Sequence, residues 1–271
     1  HAHHALQSLT AFAQALIDPL TDDRHRNFDW DVGVRGFRTR GASDAPDTTA
    51  VFMLEEFEVR IERHDAVLAV VHARGTTPDS LRATLERAAR ECVPGASDRP
   101  SFAAPEFEIP DHPVSTGAVP FDPDVDALTE LAAWFTHADL AVLRLADAVG
   151  AAVDTARVWP HHYDLGTLVH PDGGLVGLGL SPGDTAIPHP YWYVRGYPDA
   201  DAPAGEDGAG LPELSIGRWK YEGWTGAMLE APQLVALSSA DEQEAAVDGF
   251  LRTVVSTCVR LMRLEPPAPL R

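Results

Sequence analysis

The segment PDVDALTELAAWFTHADLAVLRLADAVG, residues 123–150, has the strongest helical periodicity in the chain. Its apolar side chains recur at alternating steps of three and four residues, which places them on one face of a helix. These side chains are Leu128, Leu131, Phe135, Ala138, Val142, Leu145 and Val149. Asp122-Pro123 is a typical helix start and Gly150 a typical stop, so the sequence predicts one long amphipathic helix.

The chain before this helix is predicted to have the order helix, three strands, helix. The predicted elements are a helix over 2–18, strands near 28–34, 51–63 and 67–72, and a helix that begins at Thr77. The run from Val67 to His72 is almost continuously apolar. Such a run is typical of a central strand that is covered on both faces.

Residues 93–122 form a connector between this first half and the long helix. Seven prolines fall between Val93 and Asp126, too many for a regular helix or a central strand. After the long helix, the sequence predicts four strands and a last helix that begins with capping-box spacing at Ser239. The four strands are predicted near 156–170, 174–181, 190–197 and 218–231.

These patterns predict an α+β fold in which antiparallel sheets are flanked by helices. The predicted domains are a helix–three-strand–helix half over 1–92, the connector over 93–122, and a helix–four-strand–helix half over 123–271. The helix–strands–helix order thus occurs twice. The two halves share no residue-level identity, so both a duplication and a chance recurrence of a simple pattern stay open.

The composition is strongly acidic. Lys and Arg number 21 against 41 Asp and Glu, which gives a formal net charge of −20. Such a charge repels phosphate backbones and anionic membrane surfaces, and no cluster of basic residues offsets it. We therefore expect neither a nucleic acid nor a membrane as a partner. The excess of Arg over Lys, with many Ala, Asp, Gly and Pro residues, is typical of a GC-rich bacterial genome.

The two cysteines indicate a reducing compartment. Cys92 and Cys258 both fall on predicted amphipathic helices, and a secreted disulfide framework would need more cysteines. The longest apolar stretch, residues 140–153, is interrupted by Arg144 and Asp147 and cannot span a bilayer. The sequence therefore predicts a cytoplasmic protein.

The string WPHHYD, residues 159–164, is the first candidate for chemistry. If it is extended, its side chains alternate, and His162 and Asp164 share one face. An imidazole and a carboxylate on one face favour a divalent metal ion, and His189 from a later strand is the predicted third ligand. His170 lies roughly 26 Å from His162 along a strand and is a poorer candidate. The alternative is that these histidines are ordinary hydrogen-bonded residues where a strand leaves the core.

Two aromatic strings, HPYWY at 189–193 and WKYEGWTG at 219–226, form the second candidate. Aromatic side chains with polar atoms commonly line ligand pockets, and the predicted pocket walls are Trp192, Tyr193, Trp219 and Trp224. Glu222 is the predicted catalytic base, because a carboxylate among tryptophans must be paired, bind a metal or have a shifted pKa. The alternative is a tryptophan-rich core where small sheets meet helices.

The string GLSPG, residues 179–183, matches the G-x-S-x-G nucleophile elbow. That elbow needs a backbone N–H directly after the serine to complete its oxyanion hole, and it needs a helix to follow. Pro182 has no N–H, and no helical pattern follows it. We therefore interpret this match as a turn.

The strings WPHHYD, PYWY at 190–193 and EGWTG at 222–226, together with HHALQ at 3–7, resemble those of an uncharacterised family of bacterial cytosolic proteins. The similarity covers most of the chain, and its motifs cluster in the second half. No activity, cofactor or substrate is established for that family. The resemblance therefore implies no functional residue.

Two hypotheses for the function follow from the sequence. The first is a small-molecule site in the second half, where a divalent metal ion would activate a water for hydrolysis and Glu222 would be a base or a further ligand. The second is a non-catalytic binding or interaction protein whose histidines and aromatic residues are structural. The sequence does not determine the oligomeric state.

Overall fold

In the computed structural model, the chain is an α+β protein with two antiparallel sheets and helices. The structure describes all residues except 65, 150, 199–210, 221–225 and 264–271. The elements in chain order are α1 (Ala2–Leu16), β1 (Asp29–Asp31), β2 (Gly36–Arg38), β3 (Thr48–Met53), β4 (Glu58–Arg63), β5 (Ala66–His72), α2 (Pro78–Cys92), α3 (Val125–Ala148), β6 (Ala152–Val153), β7 (Arg157–Trp159), β8 (Asp164–His170), β9 (Gly174–Ser181), β10 (Tyr191–Pro198), β11 (Arg218–Lys220), β12 (Gly226–Glu230), α4 (Ala231–Val235) and α5 (Ala240–Arg263). Short 3₁₀ helices cover Thr21–Arg26 and Ala96–Asp98.

The chain forms two compact units. The first consists of His1–Thr136 and Arg157–Asp164, and the second of His137–Ala156 and Leu165–Arg271. The division therefore falls within α3, and each unit takes residues from two separate stretches of the chain. Among the described helices, none combines the length and the apolar character that a bilayer crossing needs.

The first unit contains a five-stranded sheet in the sequential order β1-β2-β3-β4-β5. The single strand predicted near 51–63 is wrong, because this region is a hairpin in which β3 pairs with β4. The strand predicted near 28–34 is shorter than expected: β1 ends at Asp31, and residues 32–35 form the turn to β2, which pairs with β1. The turn between Met53 and Glu58 contains neither Gly nor Pro, and Phe57 adopts a φ of 55° there. Without a turn residue, the local sequence does not indicate this reversal.

The position of β5 also differs from the prediction of a central strand. β5 lies at the end of the sheet and pairs with β4. Val67, Leu68 and Val70 are 50%, 38% and 44% exposed. An apolar run that looks like a buried strand is here an edge strand.

The second unit contains a sheet whose strands follow the order β11-β12-β10-β9-β8-β6. Helix α5 packs against β9, β10 and β12. The sequential strand order of the first sheet does not recur here, so the topology does not support a duplication.

The predicted long helices are present, with starts that differ slightly from the prediction. α3 is capped by Asp124 instead of Asp122: the Asp124 carboxylate accepts a hydrogen bond from the Ala127 N–H at 2.8 Å. α5 begins after Ser239 as predicted, where the Ser239 hydroxyl accepts from the Glu242 N–H at 3.2 Å. Residues 231–235, close to the end of the last predicted strand, instead form α4.

Side chains alternate along β10, and this alternation separates a buried face from an open one. Trp192 and Val194 are fully buried, whereas Tyr191 and Tyr193 are half-buried on the opposite face. Tyr193 lies directly across from Gly179 on β9. A Cβ atom at Gly179 would lie 2.8 Å from the Tyr193 hydroxyl oxygen, so the tyrosine occupies the space that the glycine leaves free.

We expect the change Gly179→Ala to destabilise the protein by roughly 2 kcal/mol or more, because the added methyl group would collide with the Leu165 carbonyl and lie 2.8 Å from the Gly166 Cα. Gly249 on α5 is the matched control, since a Cβ there meets nothing within 4 Å. Gly249→Ala should stabilise the protein by about 0.5–1 kcal/mol. Urea unfolding of both variants measures the difference, and equal stabilities would contradict this packing.

Candidate functional site

The WPHHYD string forms a turn between two strands. β7 ends at Trp159, β8 begins at Asp164, and the Tyr163 N–H donates to the Trp159 carbonyl at 2.7 Å. The prediction of one strand over 156–170 is therefore wrong. The alternation that would pair His162 with Asp164 does not apply across a turn, and His162 is exposed whereas Asp164 is buried.

Helix α1 holds this turn through the Pro160 carbonyl. That oxygen accepts hydrogen bonds from His3 Nε2 at 2.8 Å and from Gln7 Nε2 at 3.0 Å. His3 and Gln7 are four residues apart and lie on one side of the helix. The HHALQ and WPHHYD strings are thus joined by direct contacts within the first unit.

Tyr163 fills the core beneath the turn. Its side chain is 5% exposed, and its ring stacks on His3 with ring centres 4.9 Å apart. Phe37 and Phe135 lie against it at 5.6 and 5.4 Å. Burial raises the pKa of the Tyr163 phenol, and within the described part of the chain its hydroxyl has no hydrogen-bond partner. These contacts give the tyrosine of the WPHHYD string a structural role.

The second unit places a histidine, a carboxylate and an arginine in series. His189 Nε2 lies 2.7 Å from Glu230 Oε2, and an Arg218 guanidinium nitrogen lies 2.6 Å from Glu230 Oε1. Arg218, and to a smaller extent His189, lowers the pKa of Glu230. Because an ionised carboxylate can only accept, His189 Nε2 donates to Glu230, and in the neutral imidazole Nδ1 is the atom that can accept a proton.

Strand register places tyrosines beside the His189–Glu230–Arg218 series. Tyr191 lies directly across from Glu230 on one side and from Ser181 on the other. The Tyr191 hydroxyl donates to Asp184 Oδ2 at 2.6 Å, and the Tyr193 ring centre lies 6.5 Å from that of Tyr191. We call the open face formed by Asp184, His189, Tyr191, Tyr193, Arg218 and Glu230 the tyrosine patch.

The GLSPG string is a turn at the rim of this patch, as its sequence predicts. β9 ends at Ser181, and the Ser181 hydroxyl accepts a hydrogen bond from the Gly183 N–H at 3.2 Å. No helix follows within residues 182–190, all of which the structure describes. The nucleophile-elbow arrangement is therefore absent from this segment.

The predicted pocket walls do not share one face. Trp192 packs on the buried face, with its ring centre 6.0 Å from that of His137. Trp219 pairs with Ala227, which is also the partner of Val194, so Trp219 shares the face of Trp192. Only Tyr193 of the described wall residues lies on the open face. Trp224 and the predicted base Glu222 lie outside the described residues.

The predicted metal ligands are distributed over both units. His162 and Asp164 belong to the first unit and His189 to the second. Across the described residues, no group of three or more His, Cys, Asp or Glu side chains is arranged to hold a metal ion. His189 is hydrogen-bonded to Glu230, and His170 pairs with Asp154 at 3.1 Å. A divalent metal ion at His162, Asp164 and His189 stays a prediction.

Compared with protein-family models, with curated proteins and with solved structures, the chain gives no match. The candidate site therefore rests on its geometry. Sequence reasoning identified His189 and Tyr193 but missed Asp184, Tyr191, Arg218 and Glu230. The signal for Tyr191 and Glu230 is the register between β10 and β12, which sets them opposite each other and cannot be obtained from local patterns.

The pH dependence of stability tests the contact between α1 and the turn. Burial is the main cause that lowers the His3 pKa, from 6.5 to about 4. The unfolded chain therefore binds a proton at a higher pH than the folded chain, and stability falls as the pH drops from about 6.5 to 4. His3→Gln keeps a donor for Pro160 and cannot titrate. Its free energy of unfolding should fall less over this range than that of the wild type, by roughly 1–3 kcal/mol.

His64→Gln is the control for this experiment, because the His64 side chain is 71% exposed. It should keep the pH dependence of the wild type. Urea titrations at several pH values measure all three proteins. Parallel pH profiles for the wild type and His3→Gln would show that His3 is not held in its neutral form.

Proposed function

We propose that the protein binds a small polar molecule at the tyrosine patch of its second unit, with His189 as the proton acceptor. The observation that carries this proposal is the series His189–Glu230–Arg218, with contacts of 2.7 and 2.6 Å, directly beside Tyr191. A histidine whose Nε2–H is fixed by an ionised carboxylate is oriented, and its Nδ1 can accept a proton from a bound molecule or a water.

The charges of the patch indicate which kind of molecule it accepts. Asp184 and Glu230 are carboxylates, Arg218 is a cation, and the whole chain has a formal charge of −20. The patch therefore disfavours polyanions such as polyphosphates. Hydroxyl or amine groups of a ligand would find acceptors here, while the Tyr191 and Tyr193 rings, tilted by 59° to each other, offer apolar contacts. A sugar or an amino alcohol has this combination of groups.

If the bound molecule is hydrolysed, His189 would accept a proton from the attacking water. The divalent metal ion predicted from the sequence would be an alternative activator of that water, and His189 would then bind the metal through Nδ1 instead of accepting a proton there. A cytoplasmic location is part of the same proposal. It is supported by the cysteines, since Cys92 and Cys258 are both free thiols.

A thermal-shift screen tests the proposed site. The panel contains sugars, amino alcohols, nucleotides and divalent metal ions, and a ligand of the folded state raises the unfolding midpoint. A ligand that stabilises the wild type should bind His189→Gln roughly ten- to a hundredfold more weakly, because a hydrogen bond to the imidazole is lost. Metal content of the protein purified without a His tag is measured on the same samples.

His170→Gln is the matched control, because His170 also pairs with a carboxylate on the same sheet but lies at the far end of β8. It should bind the ligand as the wild type does. If the two variants His170→Gln and His189→Gln lost ligand affinity equally, or if His189→Gln lost none, the ligand would bind elsewhere. A screen in which only nucleotides bind would contradict the proposed ligand class.

A further inference from the structure

The open face of β10 continues beyond the tyrosine patch and carries an arginine there. Arg195 and Tyr197 follow Tyr193 at steps of two residues, so all three side chains lie on the same face of the strand. The opposite face is turned toward α5, because a Cβ at Gly196 would lie 3.2 Å from the end of the Met262 side chain. Arg195 and Tyr197 are both exposed, and they extend the accessible surface of the patch along the strand.

Tyr197 holds the Arg195 guanidinium in place. The central carbon of the guanidinium lies 4.7 Å from the centre of the Tyr197 ring. The ring itself lies against Gly177 of β9, where an added Cβ would be 3.1 Å from the ring carbon Cε2. Gly177 is directly opposite Arg195, so its missing side chain leaves the space that the ring occupies beside the arginine. Stacking on an aromatic ring orients a guanidinium and leaves the N–H groups at its edge able to donate.

Arg195 differs from the other arginine on this face in its charge contacts. None of the ion pairs among the described residues includes Arg195, whereas Arg218 is paired with Glu230 at 2.6 Å. The chain carries 41 Asp and Glu against 21 Lys and Arg, so this lack of a carboxylate partner is not for want of acidic residues. The planar fork of N–H donors matches a carboxylate, which it binds through two parallel hydrogen bonds. The oriented guanidinium is therefore suited to a carboxylate from outside the chain.

The position of Arg195 sets the length of the molecule that would reach it from the patch. Tyr191, opposite Glu230, is four residues from Arg195, or about 13 Å at 3.3 Å per residue. Tyr193 lies between them on the same face and offers its ring to the middle of the molecule. Two linked sugar rings cover such a distance, whereas a single ring does not.

We propose that Arg195 binds the carboxylate of an acidic disaccharide whose other end lies at Tyr191 and His189. The inference rests on the proposed function, because it takes the tyrosine patch as the site that binds the sugar hydroxyls. The ligand class is thereby narrowed to a disaccharide with one uronic acid. A second carboxylate at the patch itself would be repelled by Asp184 and Glu230.

Isothermal titration calorimetry with pairs of acidic and neutral disaccharides tests this proposal. The acids are glucuronosyl-glucose, glucuronosyl-N-acetylglucosamine and galacturonosyl-rhamnose, and each is paired with its methyl ester, which has no charge. At least one acid should bind the wild type roughly tenfold or more tightly than its ester, because the ester loses the charged hydrogen bonds to Arg195. Arg195→Gln should bind the acid and the ester equally, and its unfolding midpoint shows whether it is folded. Arg195→Lys should keep part of the preference, since it retains the charge without the planar fork.

Arg87→Gln is the matched control, because it removes the same charge from an exposed position on α2 of the first unit. It should keep the full preference for the acid. His189→Gln separates this inference from the proposed function, since it should weaken the acid and the ester by the same factor.

The outcomes distinguish the two proposals. Esters that bind as tightly as their acids, and more weakly to His189→Gln, would overturn the role of Arg195 and leave the tyrosine patch as the site. A folded Arg195→Gln variant that still prefers the acid would overturn it as well. If none of the six sugars bound, the acidic disaccharide would be excluded, and the thermal-shift screen with its other ligands would decide the proposed function separately.

Discussion

Alternation of side chains along β10 is the constraint on which the second unit depends. The same strand buries Trp192 and Val194 completely and presents Tyr191 and Tyr193 on its other face. Burial of a tryptophan is worth several kcal/mol, so the core fixes the strand and the strand fixes the tyrosines. A shift of one residue in register would exchange the two faces, and Glu230 would no longer lie opposite Tyr191. The geometry of the tyrosine patch is thus a consequence of core packing.

The first unit shows that a conspicuous string of a sequence can hold the fold together. In WPHHYD, the Pro160 carbonyl accepts hydrogen bonds from His3 and Gln7, and the Tyr163 ring stacks on His3 at 4.9 Å. The His3 imidazole serves here as a hydrogen-bond donor, and the Tyr163 ring supplies apolar surface. The buried imidazole stays neutral, since burial lowers its pKa to about 4. His3 therefore fits the interpretation that the histidines are structural.

Elements with a strong local signal could be predicted from the sequence. Helices α3 and α5 follow from periodicity and from capping residues, and the α+β class follows from the order of the elements. β5 shows the limit, because an uninterrupted apolar run has the same composition in a central strand as in an exposed edge. The turn that ends at Phe57 was missed because it has no Gly or Pro. His189 was singled out, but its partner Glu230 is 41 residues away, and only the pairing of β10 with β12 brings the two together.

Nuclear magnetic resonance of the histidine ring nitrogens tests the central claim, that Glu230 fixes the proton of His189 on Nε2 and leaves Nδ1 as the acceptor. In ¹⁵N-labelled protein, at a pH where the imidazole is neutral, we expect a protonated Nε2 whose hydrogen exchanges slowly with water, and an unprotonated Nδ1. Glu230→Ala should abolish the slow exchange. A proton on Nδ1 in the wild type, or the same fast exchange in the wild type and in Glu230→Ala, would contradict the account.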